Sequence, residues 1–266
     1  MSYQLTEILN RCDKADADFL VSTIDSWMNF TDDKGLKTEL ARWNGDGRIP
    51  EELNRKIERE IRYLGSNDLA YMLRKTRGYD PAGVGVDEII DDLCKLLKID
   101  ISMAGTLEAR LEIFAGKVVD QQFARLPKER QIEILNSMKF DEHHRKEIFD
   151  KVIQNKELLL PVILPLLGRT VGPEVLQAFI AAILSAFVGK AAAQALVTQV
   201  LARLPIAGPW LGPLMIGATT IWSLYDLTGP ASRKTIPLIL YLGILCLKDG
   251  RTKDFIEEFE TKSLPE

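Results

Sequence analysis

Residues 174–203 read EVLQAFIAAILSAFVGKAAAQALVTQVLAR, a run without proline and with few polar side chains. It belongs to a longer apolar stretch, residues 157–248, which carries 9 charged residues where the chain average of 27% would give about 25. Those charged residues are Glu157, Arg169, Glu174, Lys190, Arg203, Asp226, Arg233, Lys234 and Lys248. A helix that is apolar on all sides lies either in the centre of a protein core or in a membrane. The place of this apolar third therefore decides the fold.

Prolines, glycines and one lysine argue against a constitutive membrane span. The longest uncharged run, residues 204–225, is long enough to cross a bilayer, but three prolines and three glycines interrupt it. Lys190 lies near the middle of the 174–203 run, where a charge costs about 2.5–3.5 kcal/mol in a bilayer. We therefore expect a buried helical hairpin in a soluble protein, which remains compatible with membrane contact.

The first 156 residues show the periodicity of successive amphipathic helices. Leu53, Ile57, Ile61 and Leu64 follow Pro50 at helical spacing, and the segments from Val86 and from Thr106 continue the pattern. Asp16 is a candidate N-cap for an early helix, and a final apolar helix is predicted from about Ile236 to Leu247. No segment alternates with the period of a strand, so we predict an all-α, two-lobed protein with a polar N-terminal lobe.

The pattern divides the chain into four parts. Residues 1–100 form the N-terminal helical domain and residues 101–156 form connecting helices. Residues 157–248 form the apolar helical-hairpin domain, with Gly/Pro hinges, and residues 249–266 form a charged tail.

Charge is spread unevenly along the chain. The net charge is −4 and the sequence pI is about 5.5, so there is no general attraction to nucleic acid. Residues 157–248 nevertheless contain 6 basic and 3 acidic residues. This positive balance suits an approach to an anionic lipid surface, although an uneven spread by chance explains the same small count.

No motif supports catalysis, a cofactor or a metal. The only histidines, His143 and His144, are adjacent and point about 100° apart on a helix, so they cannot chelate one metal from a single face. The three cysteines match no metal or redox spacing and indicate buried thiols in a reducing cytoplasm. The segment around Gly83 lacks the glycines of a dinucleotide loop. We predict a protein that is not an enzyme and that has no cofactor.

The candidate binding residues are basic or aromatic positions in the apolar third. Arg233 and Lys234 precede the predicted helix at Ile236, where cations and free backbone N–H groups can bind a phosphate. The simpler alternative is that the pair solubilises the end of a buried helix. Lys190 and Trp210 complete the predicted lipid or anion site, with Trp210 at a membrane interface. The apolar hairpin itself is represented by Phe179, Phe187, Leu211 and Trp222.

Several short motifs occur in an order that resembles the YaaW-like bacterial family, from about residue 5 to residue 248. They are Asp18-Phe19-Leu20, Tyr63-Leu64-Gly65-Ser66-Asn67 followed by Leu73-Arg74, Val86-Asp87-Glu88-Ile89 leading to Leu96-Leu97-Lys98, and Ser232-Arg233-Lys234-Thr235-Ile236-Pro237. Relatives usually carry a Phe-Gly-Gly-Asn-like turn, from which residues 64–67 depart mildly, and the loop at 76–84 is longer. None of these motifs is catalytic.

The resemblance implies a function that composition alone does not. The family includes the sensor of the jumbo-phage killer defence system, which moves to the site of infection and recruits a separate effector. We therefore expect a cytoplasmic sensor or adaptor that is recruited to a membrane, has an effector protein as partner and is compatible with homo-oligomerisation. Two alternatives stay open: a membrane-inserting, pore-forming protein in which residues 174–227 insert, and a housekeeping helical scaffold.

Overall fold

A computed structural model describes residues 3–25, 33–65, 83–101, 105–125, 127–137, 142–154, 159, 162 and 230–248. Throughout these ranges the regular structure is helical and there is no β-strand. The all-α prediction is confirmed for this part of the chain. The division into two lobes stays a prediction, because residues 163–229 lie outside the described ranges.

The helices of the described ranges are numbered in chain order. Their bounds are α1 Tyr3–Leu9, α2 Lys14–Asp25, α3 Asp33–Arg42, α4 Glu51–Leu64, α5 Val86–Leu97, α6 Leu107–Arg125, α7 Lys128–Ser137, α8 Glu142–Ile148 and α9 Pro230–Lys248. A π-helical turn, Phe149–Gln154, continues α8 directly.

The amphipathic helices bury the faces that their periodicity predicts. In α4 the buried positions include Leu53, Ile57, Ile61 and Leu64. In α6 the large apolar side chains are buried in the same way, and they are joined by two buried carboxylates, Glu112 and Asp120. The side chains of α1, α2, α4, α5, α6 and α9 belong to one continuous hydrophobic core.

The last helix of the described ranges, α9, lies inside that core. It packs most extensively against α6 and also contacts α1, α2, α4 and α5. Residues 238–242 are buried in succession, so the middle of this helix is covered on all sides. Its six buried leucines and isoleucines stabilise the fold by roughly 10 kcal/mol or more, since each such side chain contributes about 1.5–3 kcal/mol on burial. That is comparable with the whole stability of a typical domain, about 5–15 kcal/mol.

The predicted start of this helix at Ile236 was wrong. The helix begins at Pro230, because proline is favoured in the first turn, where its missing N–H breaks no helical hydrogen bond. The C-terminal helix of the predicted 157–248 domain, α9, is part of the core built by residues 3–125. The domain boundaries themselves stay a prediction.

Gly243 brings α9 and α6 into close contact. A Cβ atom at this position would lie 2.5 Å from the carbonyl oxygen of Leu111 and 2.7 Å from the Cβ of Ala115. Only glycine therefore allows the two backbones to approach at this crossing.

Helices α7 and α8 and the π-helical turn pack mainly against one another. The side-chain amide of Gln131 donates to the carbonyl of Phe123 at 2.9 Å, which ties α7 to the end of α6. Of the helices in the described ranges, none combines the length and the apolar character that crossing a membrane requires.

Candidate functional site at the start of the last helix

The predicted basic pair lies in the N-terminal part of α9. Arg233 and Lys234 are the fourth and fifth residues of the helix, and the first turn contains no acidic residue. The first N–H groups of a helix have no intrahelical partner and carry the positive end of the helix dipole. The backbone of this segment is described, whereas the two basic side chains are outside the described part. The prediction that the pair precedes the helix was wrong, because both residues lie within α9.

Thr235 attaches this end of α9 to the end of α4. Its hydroxyl is buried and donates to the carbonyl of Leu64 at 3.4 Å. Because that carbonyl is among the last of α4, the bond also satisfies an acceptor that the helix leaves open. The start of α9 is therefore placed beside the C-terminus of α4.

Two glycines allow the end of α4 to pack closely against the start of α5. Gly65 has φ of −77°, so it is not needed for a left-handed turn. A Cβ there would lie 2.4 Å from the Cδ1 of Ile89 and 3.0 Å from the Cγ2 of Val84. At Gly83 a Cβ would lie 2.5 Å from the backbone carbon of Arg62. Gly65 follows the last residue of α4, and close packing is what requires the glycine there.

Arg62 also links the end of α4 to the segment that precedes α5. Its Nε donates to the carbonyl of Val84 at 3.2 Å, and its Nη1 donates to Glu58 at 3.2 Å. Glu58 also accepts from the hydroxyl of Thr6 at 2.9 Å. The Arg62 guanidinium therefore has a structural role in joining α4 to the segment before α5.

A buried polar pair fixes the middle of α9. The hydroxyl of Tyr241 donates to Oδ1 of Asp16 at 2.7 Å, and the Tyr241 ring packs on Phe19 with centroids 4.1 Å apart. Asp16 is 1% exposed, and its Oδ2 accepts from the backbone N–H of Asp13 at 2.9 Å. The carboxylate thus receives hydrogen bonds from two different helical regions.

The predicted role of Asp16 as an N-cap was wrong. The carboxylate of Asp13 accepts from the N–H of Asp16 at 3.0 Å, so Asp13 precedes and caps α2. Together the two residues form a reciprocal box three positions apart. This arrangement leaves one oxygen of Asp16 directed at α9.

An open cavity of about 460 Å³ lies beside the end of α5. Its lining includes Cys94, Lys98 and Ile101. Burial, followed by the charge of Asp91, raises the pKa of the Cys94 thiol from 9.0 to about 11. Since the thiolate is the reactive form of cysteine, this thiol is a poor nucleophile near neutral pH.

Within the described ranges no group of histidine, cysteine and acidic side chains is arranged to hold a metal ion. His143 and His144 have ring centroids 5.7 Å apart and meet edge to face. The other predicted site residues lie outside the described ranges. They are Lys190 and Trp210 of the lipid or anion site, and Phe179, Phe187, Leu211 and Trp222 of the apolar hairpin.

Comparison with protein-family models, with curated proteins and with solved structures finds no match to this chain. The likeness to the YaaW-like family thus stays an expectation that rests on the short motifs themselves.

Sequence reasoning missed the Asp16–Tyr241 pair. Two local signals point toward it: acidic residues three positions apart at a helix start, and a tyrosine inside an otherwise apolar helix, where a buried hydroxyl needs a partner. Neither signal indicates that the two belong together.

Proposed function

We propose that the protein is a non-enzymatic sensor or adaptor of bacterial anti-phage defence. It recognises an infection-derived membrane or vesicle surface with its apolar third and recruits an effector protein through the polar helical bundle. The support comes from the charge-poor stretch at 157–248, from its positive balance and from the motif order shared with the YaaW-like family.

The observation that carries the lipid part is the location of the positive charge. Residues 157–229 contain three acidic and three basic residues, so they have no net charge. The entire excess of the apolar third belongs to α9, which contains Arg233, Lys234 and Lys248. Two of these three lie near the N-terminal end of the helix, where the helix dipole adds to their attraction for phosphate.

The backbone that carries this basic pair is attached to the bundle. Thr235 is bonded to the end of α4 and Ile236 is fully buried, so the segment that carries the pair is attached to the bundle immediately behind it. A backbone segment that is already fixed loses little conformational freedom when it binds an anionic headgroup. We propose that this end of the bundle faces the lipid surface, with the apolar residues 157–229 as the second contact.

Flotation of the purified full chain with anionic vesicles tests the lipid part. We expect the wild-type protein to float with vesicles of phosphatidylcholine and phosphatidylglycerol and to float poorly with phosphatidylcholine alone. If it stays in the soluble fraction with both, lipid sensing is wrong. Release of an entrapped dye by the chain alone would favour the pore-forming alternative.

A charge reversal with a matched control locates the contact. Arg233→Glu with Lys234→Glu should reduce flotation strongly. The control is Arg145→Glu with Lys146→Glu, an exposed Arg–Lys pair on α8 with the same change of charge. Equal loss in the two variants would show a response to net charge alone and would reject the basic pair as the site.

A further inference from the structure

Helix α9 is held in the bundle at three separate points along its length. Near its start, Thr235 donates to the carbonyl of Leu64. In its middle, Tyr241 donates to Asp16. Toward its end, Gly243 lies directly against the backbone of α6 at Leu111.

We propose that α9 is a fixed anchor, which stays in the bundle when the protein meets a membrane. The apolar character of residues 230–248 therefore serves the core. Any part of the apolar third that rearranges on a lipid surface ends before Pro230. The claim that α9 stays in place on a membrane rests on the proposed function, whereas the claim that α9 is anchored in the bundle concerns the free protein.

The chemistry of the three contacts explains why the helix stays docked. Withdrawal of Tyr241 would leave the buried carboxylate of Asp16 with one hydrogen-bond donor fewer, and buried charges are costly without such partners. Withdrawal of the helix would also expose the side chains of residues 236, 238–242, 245 and 246, each of which is 4% or less exposed. Gly243 adds a geometric reason, because glycine weakens a helix unless close packing repays it.

The sequence of α9 also suits a core better than a bilayer. A helix of 19 residues is about 29 Å long and barely matches the hydrocarbon core of about 30 Å. Arg233, Lys234 and Lys248 lie within that length, so full insertion would bring charges into the bilayer.

Hydrogen exchange of the full chain, read by mass spectrometry, tests the anchor. Free in solution, the amides of 236–246 should exchange as slowly as those of 111–119 in α6, because both open only when the bundle unfolds. With phosphatidylcholine and phosphatidylglycerol vesicles, the rates in 236–246 should stay the same. Much faster exchange of 236–246 than of 111–119 in free protein, or faster exchange after vesicle binding, overturns the anchor.

The experiment separates the two proposals. Absence of flotation refutes the proposed lipid sensing, and the free-state comparison still decides about the anchor. Vesicle binding with accelerated exchange in 236–246 supports lipid sensing and refutes the anchor.

A variant identifies the polar contact as part of the anchor. Tyr241→Phe should accelerate exchange in 236–246 and 111–119 together by roughly tenfold, since one buried hydrogen bond to a charged group is lost. The matched control is Thr23→Val, which removes a buried hydroxyl bonded within α2 to Phe19 at 2.9 Å. Thr23→Val should accelerate exchange in 236–246 less than Tyr241→Phe does. Wild-type rates in the Tyr241→Phe variant would show that this bond does not hold the helix.

Discussion

Tyr241 and Asp16 are 225 positions apart in the chain, yet the tyrosine hydroxyl donates to the aspartate carboxylate at 2.7 Å inside the bundle. The bond joins the last described helix to the second. The Asp16 carboxylate also accepts from the backbone N–H of Asp13, the residue that caps α2. One side chain therefore connects the start of α2 with α9, which is distant in the sequence.

Replacing Asp16 should destabilise the protein by about 1–3 kcal/mol, since Asp16→Ala removes the hydrogen bonds that the carboxylate accepts from the buried Tyr241 hydroxyl and from the Asp13 N–H. Urea unfolding followed by circular dichroism measures the change. Asp13→Asn is the matched control, because asparagine caps a helix as well as aspartate does, and its effect should be near zero. An Asp16→Ala variant as stable as the Asp13→Asn control would contradict the role of the pair.

Gly243→Ser should destabilise the protein by about 1–3 kcal/mol, because the new Cβ must push against the Leu111 carbonyl and the Ala115 side chain. The loss should appear although serine forms helices better than glycine. The same substitution at Gly85, an N-cap position with nothing within 4 Å of the added Cβ, should leave stability unchanged or slightly raised. Thermal unfolding of the two variants side by side decides, and equal midpoints would refute the close crossing.

Helical spacing predicts part of the fold. The buried faces of α4 and α6 could be predicted from the sequence, because their apolar residues recur three and four positions apart. The spacing was less reliable in α5, where Leu96 belongs to the apolar pattern and is nevertheless 43% exposed.

The position of α9 in the bundle could not be predicted from helical spacing. The helix was predicted to start at about Ile236, whereas it begins at Pro230, because proline also begins helices. The docking of α9 against α2 and α6 depends on contacts between residues more than a hundred positions apart, and local patterns contain no information about such pairs. The basic pair as a binding site stays a prediction from the sequence, and the position of its backbone beside the end of α4 depends on the buried bond of Thr235.

The Cys94 thiol should react slowly with iodoacetamide in the folded protein. With its pKa raised from 9.0 to about 11, the thiolate fraction at pH 8 falls by roughly a hundredfold relative to an ordinary cysteine. Peptide mapping after timed labelling, with the guanidinium-unfolded chain as reference, measures the ratio. Equal labelling rates in the folded and unfolded chain would contradict the buried, neutral thiol.

The same shift predicts a pH dependence of stability. Because the folded state holds the proton more tightly, the contribution of Cys94 is complete below about pH 9 and is lost as the pH rises toward about 11. Cys94→Ala should therefore flatten the decline of stability over this range. Urea titrations of both proteins at several pH values test this, and parallel curves would show that another group is responsible.

Neutralising the basic pair should weaken vesicle binding and its salt dependence together. Each lysine or arginine near an anionic surface contributes about 1 kcal/mol, so Arg233→Gln with Lys234→Gln should lower the partition coefficient by roughly thirtyfold at low salt. Screening at high ionic strength weakens the wild-type protein more than the variant, and the two should converge. Arg145→Gln with Lys146→Gln serves as control, since these residues lie on α8 and should leave the partition nearly unchanged. A salt dependence that survives the neutralisation of Arg233 and Lys234 would place the electrostatic contact elsewhere in the chain, with Lys248 at the opposite end of α9 as the next residue to test.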